Sequence, residues 1–362
     1  MAFSSASGTN TSIPSAAATD GLIVGFSRSV ADFAVNRWVG MVPVDKPKGF
    51  YINWDSNQSG RIGPTDGSKW QWAYGADRPV DQGNNREFAF SPYFTERLNF
   101  SSPLPIEAEE FADFDIGAAE RAKLAQQCMT MRTAAAVGAL TNAPWGANNS
   151  ANVDGVAGIN GFGAAAMLAS GQNWTNGTVN TPNIKLTLLR ALKAINLGTL
   201  GRLQPRDLTL VITPDLALLL AMSPEVQDAL KQSQFAMGAL TGENPDVNGL
   251  WGMPPMIAGM RIVVEDTVLV TTEKGAATPV QSYAFPAGSA YLVIRPGGLV
   301  QPPMPWAGGR VFSTVTMFSL EEMTVERRVD TWNRIIQDSI TSNFDMRCIS
   351  PAGGFQFTHA AG

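Results

Sequence analysis

Residues Asp113–Asn142 (DFDIGAAERAKLAQQCMTMRTAAAVGALTN) constrain the fold more than any other stretch. Their spacing predicts one helix over Ile116–Leu140, about 37 Å long at 1.5 Å per residue. Asp115 is placed to cap its start, and Glu107, Glu109, Glu110 and Asp113 set negative charge near the positive end of its dipole. Asn142 and Pro144 stop it. Leu124, Cys128, Met131 and Ala135 recur at helical spacing as a narrow apolar stripe, while Arg121, Lys123, Gln126, Gln127, Thr130 and Arg132 take much of the remaining surface. The many alanines keep the rod thin, so a sheet or a neighbouring subunit can approach it closely. A long rod with one narrow apolar edge suits a girder lying across a sheet better than a member of a bundle.

Before the helix the chain is unusual. Met1–Asp20 is polar and rich in Ser, Thr and Ala, which suits an extended arm. Apolar residues return over Leu22–Val39, a segment expected to dock on something already folded. Val39–Phe100 then mixes Trp54, Trp70, Trp72, Tyr51, Tyr74 and Tyr93 with Gly, Pro, Asp and Asn. Val42–Val44 and Gly49–Trp54 read as strands, and Lys69–Tyr74 alternates with Trp70, Trp72 and Tyr74 on one face. This is the pattern of a long two-stranded projection. Such a ribbon is marginal alone in water. It is either a local aromatic core or a loop that lies over a neighbouring subunit.

After the long helix, Asn142–Asn180 is irregular, and Pro182–Leu197 reads as a helix with Ile184, Leu188, Leu192 and Ile195 buried. Leu208–Ile212, Met260–Glu265, Val268–Thr272 and Ala290–Ile294 read as strands. Thr213-Pro214 and Ser223-Pro224 each open a short helix. A compact α/β unit near Leu203–Pro296 follows. The tail alternates over Glu322–Val329 and Arg334–Ile349 around a turn or linker at Asp330–Arg334, giving long half-buried strands on which the girder helix can lie. That arrangement predicts Cys348 near the Cys128 face of the helix.

The chemistry the chain omits is informative. Its one histidine, His359, argues against most hydrolase triads and histidine-ligated metals. Gly161–Ala166 matches a loosened dinucleotide fingerprint, but no good strand precedes it and no acid follows at the ribose position. No phosphate-cradling loop, Cys-x-x-Cys pair or calcium loop is present. No catalytic, cofactor-binding or metal site is assigned, and no enzyme activity is expected. Two cysteines read as buried thiols. No basic, apolar leader or membrane-length apolar run occurs, so a cytosolic product is expected. Charged residues are only 16% of the chain, against roughly 25% in ordinary soluble domains. Hidden surface in partner contacts, or many loops, would account for that. The net charge of −5 fits either ordinary solubility or an inner surface past which packed DNA slides. Trp54, Trp70, Trp72 and Tyr74, with Glu109, Glu110, Arg327, Arg328 and Arg334 as ion-pair formers, are the candidate contacts between subunits.

The order of these parts resembles the major capsid protein of tailed bacteriophages. The likeness is carried by the arm Met1–Arg37, the loop Val39–Phe100 and the helix Ile116–Leu140. It continues in LTLVITPDLALLL (Leu208–Leu220), LWGMPPMIAGMRIVV (Leu250–Val264) and NRIIQDSITSNFDMRCISP (Asn333–Pro351). The resemblance implies an α+β fold: an N-terminal arm (1–38), an extended two-stranded loop (39–100), a peripheral domain with the spine helix and long strands (101–202 and 297–362), and an axial domain (203–296). It implies an icosahedral shell of hexamers and pentamers around double-stranded DNA, bound non-specifically, in the virion and assembled in the host cytoplasm. Further implied partners are a separate scaffolding protein, a portal and a decoration protein. A nanocompartment shell of the same fold, enclosing an enzyme cargo, is the alternative, and a carboxylate-based α/β enzyme the remote one.

Overall fold

The computed structural model describes residues 28–54, 88–112, 115–146, 148–153, 173–176, 183–231, 251, 253–272, 278–297 and 313–358. In chain order the strands are β1 (Gly40–Pro43), β2 (Lys48–Trp54), β3 (Phe88–Phe94), β4 (Glu96–Pro105), β5 (Ser150–Asn152), β6 (Leu208–Ile212) and β7 (Met256–Ile257). They continue with β8 (Met260–Val264), β9 (Val268–Val270), β10 (Gln281–Tyr283), β11 (Ala290–Ile294), β12 (Val315–Asp330), β13 (Ile335–Cys348) and β14 (Phe355–Thr358). A four-stranded sheet runs β1-β12-β13-β4 and a six-stranded sheet runs β5-β14-β11-β6-β8-β7. Pairs β2-β3 and β9-β10 stand apart from both. The arm before residue 28, Lys69–Tyr74, Gly161–Ala166, Pro182 and His359 lie outside the described residues.

The long helix covers Ile116–Thr141, and the Asp115 carboxylate accepts from the Ala118 amide at 2.7 Å, as its capping position predicts. It lies on β13, flanked by β4 and β12. Its buried row differs from the expected stripe. Leu124, Cys128, Arg132, Ala136 and Leu140 face the sheet, with Met129, Thr133 and Val137 beside them. Met131 is exposed and Ala135 half-buried. The reason is the sheet beneath. Alternate residues of β13 point at the helix, and they include Ser342 and Phe344. Arg132 Nη2 donates to Ser342 Oγ at 2.8 Å, and its guanidinium lies 5.7 Å from the Phe344 ring centre. A cation excluded from the apolar stripe by type is admitted by its partners.

The cysteines also differ from expectation. Cys128 packs with Leu124 and Ile340. Cys348 pairs with Val315 at the far end of β13, six residues beyond Ser342, or about 20 Å along a strand. A helix advances 1.5 Å per residue and a strand about 3.3 Å, so β13 outruns the helix. Burial pushes both thiols up, Cys348 to about 12.

Both faces of the central strands of the six-stranded sheet are covered, so β6 and β11 are buried at every position and are largely apolar. Leu208, Leu210, Ile212, Leu292 and Ile294 face the helices Asn183–Gly198 and Pro214–Ala221. Thr213 caps the second of these. The Glu225 carboxylate accepts from the Ile184 and Lys185 amides, at 2.9 Å each, at the start of the first. Sequence order groups helix 183–198 and the last strand with the spine helix. Their apolar residues Ile184, Leu188, Ile195, Phe355 and Phe357 instead pack in the core of the six-stranded sheet.

A second core joins the two sheets. Val211, Val263, Tyr291 and Val293 of the six-stranded sheet meet Val315 of β12, Met129, Val137 and Leu140 of the long helix, and Phe33, Val35 and Trp38. The apolar segment after the arm therefore docks, as its composition predicts. Trp38 Nε1 donates to the Glu265 carboxylate at 2.9 Å, and Thr267 Oγ1 donates to it at 2.6 Å. Trp38 and Glu265 are both fully buried. Burial pushes the Glu265 carboxyl above the ordinary range, against the lowering effect of the bonds from Thr267 and Trp38. Outside this carboxylate, Arg28 pairs with Asp266 at 2.7 Å.

Two changes test these packing arguments. A raised carboxyl pKa means that Glu265 contributes stability fully present below the usual carboxylate range and lost as pH rises through its folded value. The urea midpoint of the wild type should therefore fall as pH rises above the usual carboxylate range, and Glu265→Gln should flatten that fall. Replacing Leu188, fully buried against the six-stranded sheet, by Ala should cost about 3 kcal/mol in the same titration.

Candidate assembly interface

The projection predicted from residues 39–100 begins as a two-stranded antiparallel ribbon. Lys48 pairs with Phe94, Phe50 with Pro92, and Trp54 with Phe88. Residues facing each other across the pair share a face, so the ribbon has two unlike sides. One carries Gly49, Tyr51, Ser91 and Tyr93. The Tyr93 ring stacks on Phe318 of β12 at 4.7 Å and 9°, and Tyr51 stacks on the same ring at 5.5 Å. Residue 49 must be Gly, because a Cβ there would overlap the Tyr93 ring. The Phe94 amide donates to Asp345 of β13 at 2.9 Å. Of the two expectations for this segment, the foot of the ribbon follows the local aromatic core, with Phe318 as its platform.

The other side faces outward. Phe50 is 71% exposed, Phe90 64% and Phe94 47%, and Pro92 lies between them. Three phenylalanines on one face of a ribbon form an apolar patch that is left open among the described residues. Trp54 ends β2, and its side chain, like Trp70, Trp72 and Tyr74, lies outside the described residues.

The ion-pair candidates gather at the start of the long helix. Helix Ile106–Glu110 follows β4 directly. Arg327 Nη2 reaches Glu109 at 2.6 Å, and Arg334 Nε reaches Glu107 at 2.5 Å, both within the protomer. Behind them Asp338, only 4% exposed, holds Arg121 at 3.1 Å and faces Arg327 at 3.8 Å. This network ties the long helix, helix 106–110, β12 and β13 together. Glu110 and Arg328 stay at the surface. Sequence reasoning passed over Asp338, although its register between Ile336 and Ile340 marks a carboxylate on the buried face of β13.

The hairpin joining β12 and β13 turns at Asp330–Arg334, where the alternation breaks in the sequence; the feature the sequence reading passed over is the tryptophan at its tip. One oxygen of the Asp330 carboxylate accepts from the amides of Trp332 at 3.0 Å and Asn333 at 3.2 Å, and the other takes the Asn333 side chain at 2.7 Å. These bonds, led by those from Asn333, hold the Asp330 carboxyl below its usual range. They lock a turn that presents Trp332 at 92% exposure. An aromatic residue inside a turn was the available signal.

Among the described residues, no group of three His, Cys, Asp or Glu side chains is placed to hold a metal ion. No described helix is long and apolar enough to cross a membrane. What the surface offers is apolar area and salt-linked edges. Asp338→Ala leaves Arg121 without its buried partner and should lower stability by about 2 kcal/mol, with lost hydrogen-exchange protection concentrated in the first turns of the long helix.

No family model matches this sequence, and no curated protein matches it either. Solved structures do match the fold. A phage-related protein from Bordetella bronchiseptica superposes with a TM-score of 0.57 at 13% identity, covering 94% of this chain and 95% of its own. The capsid of the cyanophage P-SCSP1u gives 0.53 at 12% identity, over 93% and 90%. A structure from Mycobacterium phage Bobi gives 0.53 at 11% identity, over 94% and 93%. At these identities the likeness is one of architecture, over 93–94% of the chain: the chain has the fold of the tailed-bacteriophage capsid proteins.

Proposed function

We propose that this chain is a major capsid protein, self-assembling as hexamers and pentamers into an icosahedral shell around the double-stranded DNA of a tailed phage. Its work is structural rather than catalytic. The observation that carries this reading is the ribbon, fixed at its foot by Phe318 yet exposing Phe50, Phe90 and Phe94 on the opposite face. A protomer working alone gains nothing from that patch. A sister copy lying under the ribbon buries it. Many modest contacts of this kind suffice, because a closed lattice multiplies them. The mild net charge of −5 suits a wall that holds DNA without gripping it. In this reading a separate scaffolding protein guides assembly in the host cytoplasm, a portal occupies one vertex, and a decoration protein can bind the outside.

Expression of the chain in a bacterial host, followed by size-exclusion chromatography and negative-stain microscopy, tests the proposal. Closed shells or capsomers are expected, and monodisperse protomers at every concentration would refute it. Co-purified enzyme in place of nucleic acid would move the assignment to a nanocompartment shell. Phe50→Ser combined with Phe90→Ser should leave the thermal midpoint of the protomer nearly unchanged, since both rings are exposed, and arrest assembly at small oligomers.

A further inference from the structure

The locked turn at the end of the β12-β13 hairpin and a cavity beside it form a complementary pair that one protomer cannot close on itself. Trp332 is the most exposed large apolar side chain among the described residues, at 92%. It stands on a turn whose geometry is set by three hydrogen bonds to Asp330, so its presentation is ordered in advance. Beside the turn, a cavity of about 530 Å³ is lined by Asn99 of β4, Glu326, Arg327 and Arg328 of β12, and Gln337 and Ser339 of β13. Most of these residues are on the sheet face opposite the long helix. The strand register shows this: Ser339 pairs with Glu326 and Gln337 with Arg328, whereas Ile340 and Asp338, which meet the helix, alternate with them.

We propose that Trp332 of one copy inserts into this cavity of a second copy, resting on our reading of the chain as a shell subunit. Three features of the cavity select an indole. Its volume accommodates a single large aromatic side chain. The Arg328 guanidinium offers a flat cation on which an indole stacks. The Glu326 carboxylate offers an acceptor for the indole N–H, the one polar group such a ring must satisfy when buried. Donor and receptor are different patches of the same chain, so a contact repeated in one direction from copy to copy closes into a ring. Trp paired with Arg is the residue combination that most often dominates the energy of such contacts.

The test replaces Trp332 by the photoreactive aromatic p-benzoylphenylalanine in particles assembled from equal amounts of ¹⁵N-labelled and unlabelled chain. After illumination, peptide mass spectrometry should find mixed-isotope crosslinks from position 332 to residues 326–328 or 337–339. Assembled particles whose crosslinks lie elsewhere, or stay within one isotope, would overturn the proposal and leave the shell assignment standing. Protomers that never assemble would overturn both. Trp332→Ala supplies a second arm. The side chain touches almost nothing in its own protomer, so the thermal midpoint should not move, while the protein concentration needed for assembly rises roughly tenfold or more. An unchanged assembly threshold would count against the contact. Arg328→Ala should raise the threshold in the same direction, and combining it with Trp332→Ala should add little further, because both changes remove one interaction.

Discussion

The seat of the long helix on β13 is the constraint from which the rest of the protomer follows. The two elements advance at different rates, so only a few residue pairs can meet. Arg121 meets Asp338, Leu124 and Cys128 meet Ile340, and Arg132 meets Ser342 and Phe344. From Arg121 to Arg132 the helix rises about 16 Å, and from Asp338 to Ser342 the strand advances about 13 Å. The contacts therefore stay in step over this stretch and no further. Two of the three carry charge. A buried ion pair adds little net stability against an apolar replacement. Its value here is directional, because sliding the helix by one turn would strand Asp338 and Arg132 in the interior.

That seat positions everything attached to β12 and β13. The N-terminal segment packs Phe33 and Trp38 into the core between the sheets, and the chain then joins β12 as β1. Only four residues separate β1 from the ribbon. The ribbon in turn rests on Phe318, one of the β12 residues beside β1. Arm base, ribbon and long hairpin are therefore carried by one sheet. A small rotation of that sheet relative to the six-stranded one, about the core holding Glu265, would move all three together. Under the proposed function, this connection lets one subunit serve flat and curved positions.

The protomer leaves apolar area uncovered in separate places: the outer face of the ribbon, the Trp332 turn, and Leu186, Leu189 and Leu197 on the outer side of helix 183–198. Patches on different elements, facing different ways, suit a lattice with several distinct contacts per copy better than a simple dimer. The likeness to phage capsid structures at 11–13% identity is a likeness of fold. What the fold demands is an order of elements and a pattern of burial, and many sequences satisfy that demand.

Much was legible in the residues alone. The long helix and its Asp115 cap, the strands at 208–212 and 290–294, the helices opened by Thr213-Pro214 and Ser223-Pro224, and the ribbon strand ending at Trp54 all depend on local periodicity and local capping, which neighbouring residues determine. The tertiary structure alone decided which face each element turns inward. Arg132 is buried and Met131 exposed because of what β13 places beneath them. Glu109 and Glu107 meet arginines of their own chain because helix 106–110 ends beside the hairpin. Phe318 supports the ribbon from some 270 residues further along the chain. Such pairings join positions remote in sequence, and no local pattern encodes the partner. The sequence determined the parts and their order; the packing of sheet against helix determined which side chains are hidden and which stay exposed.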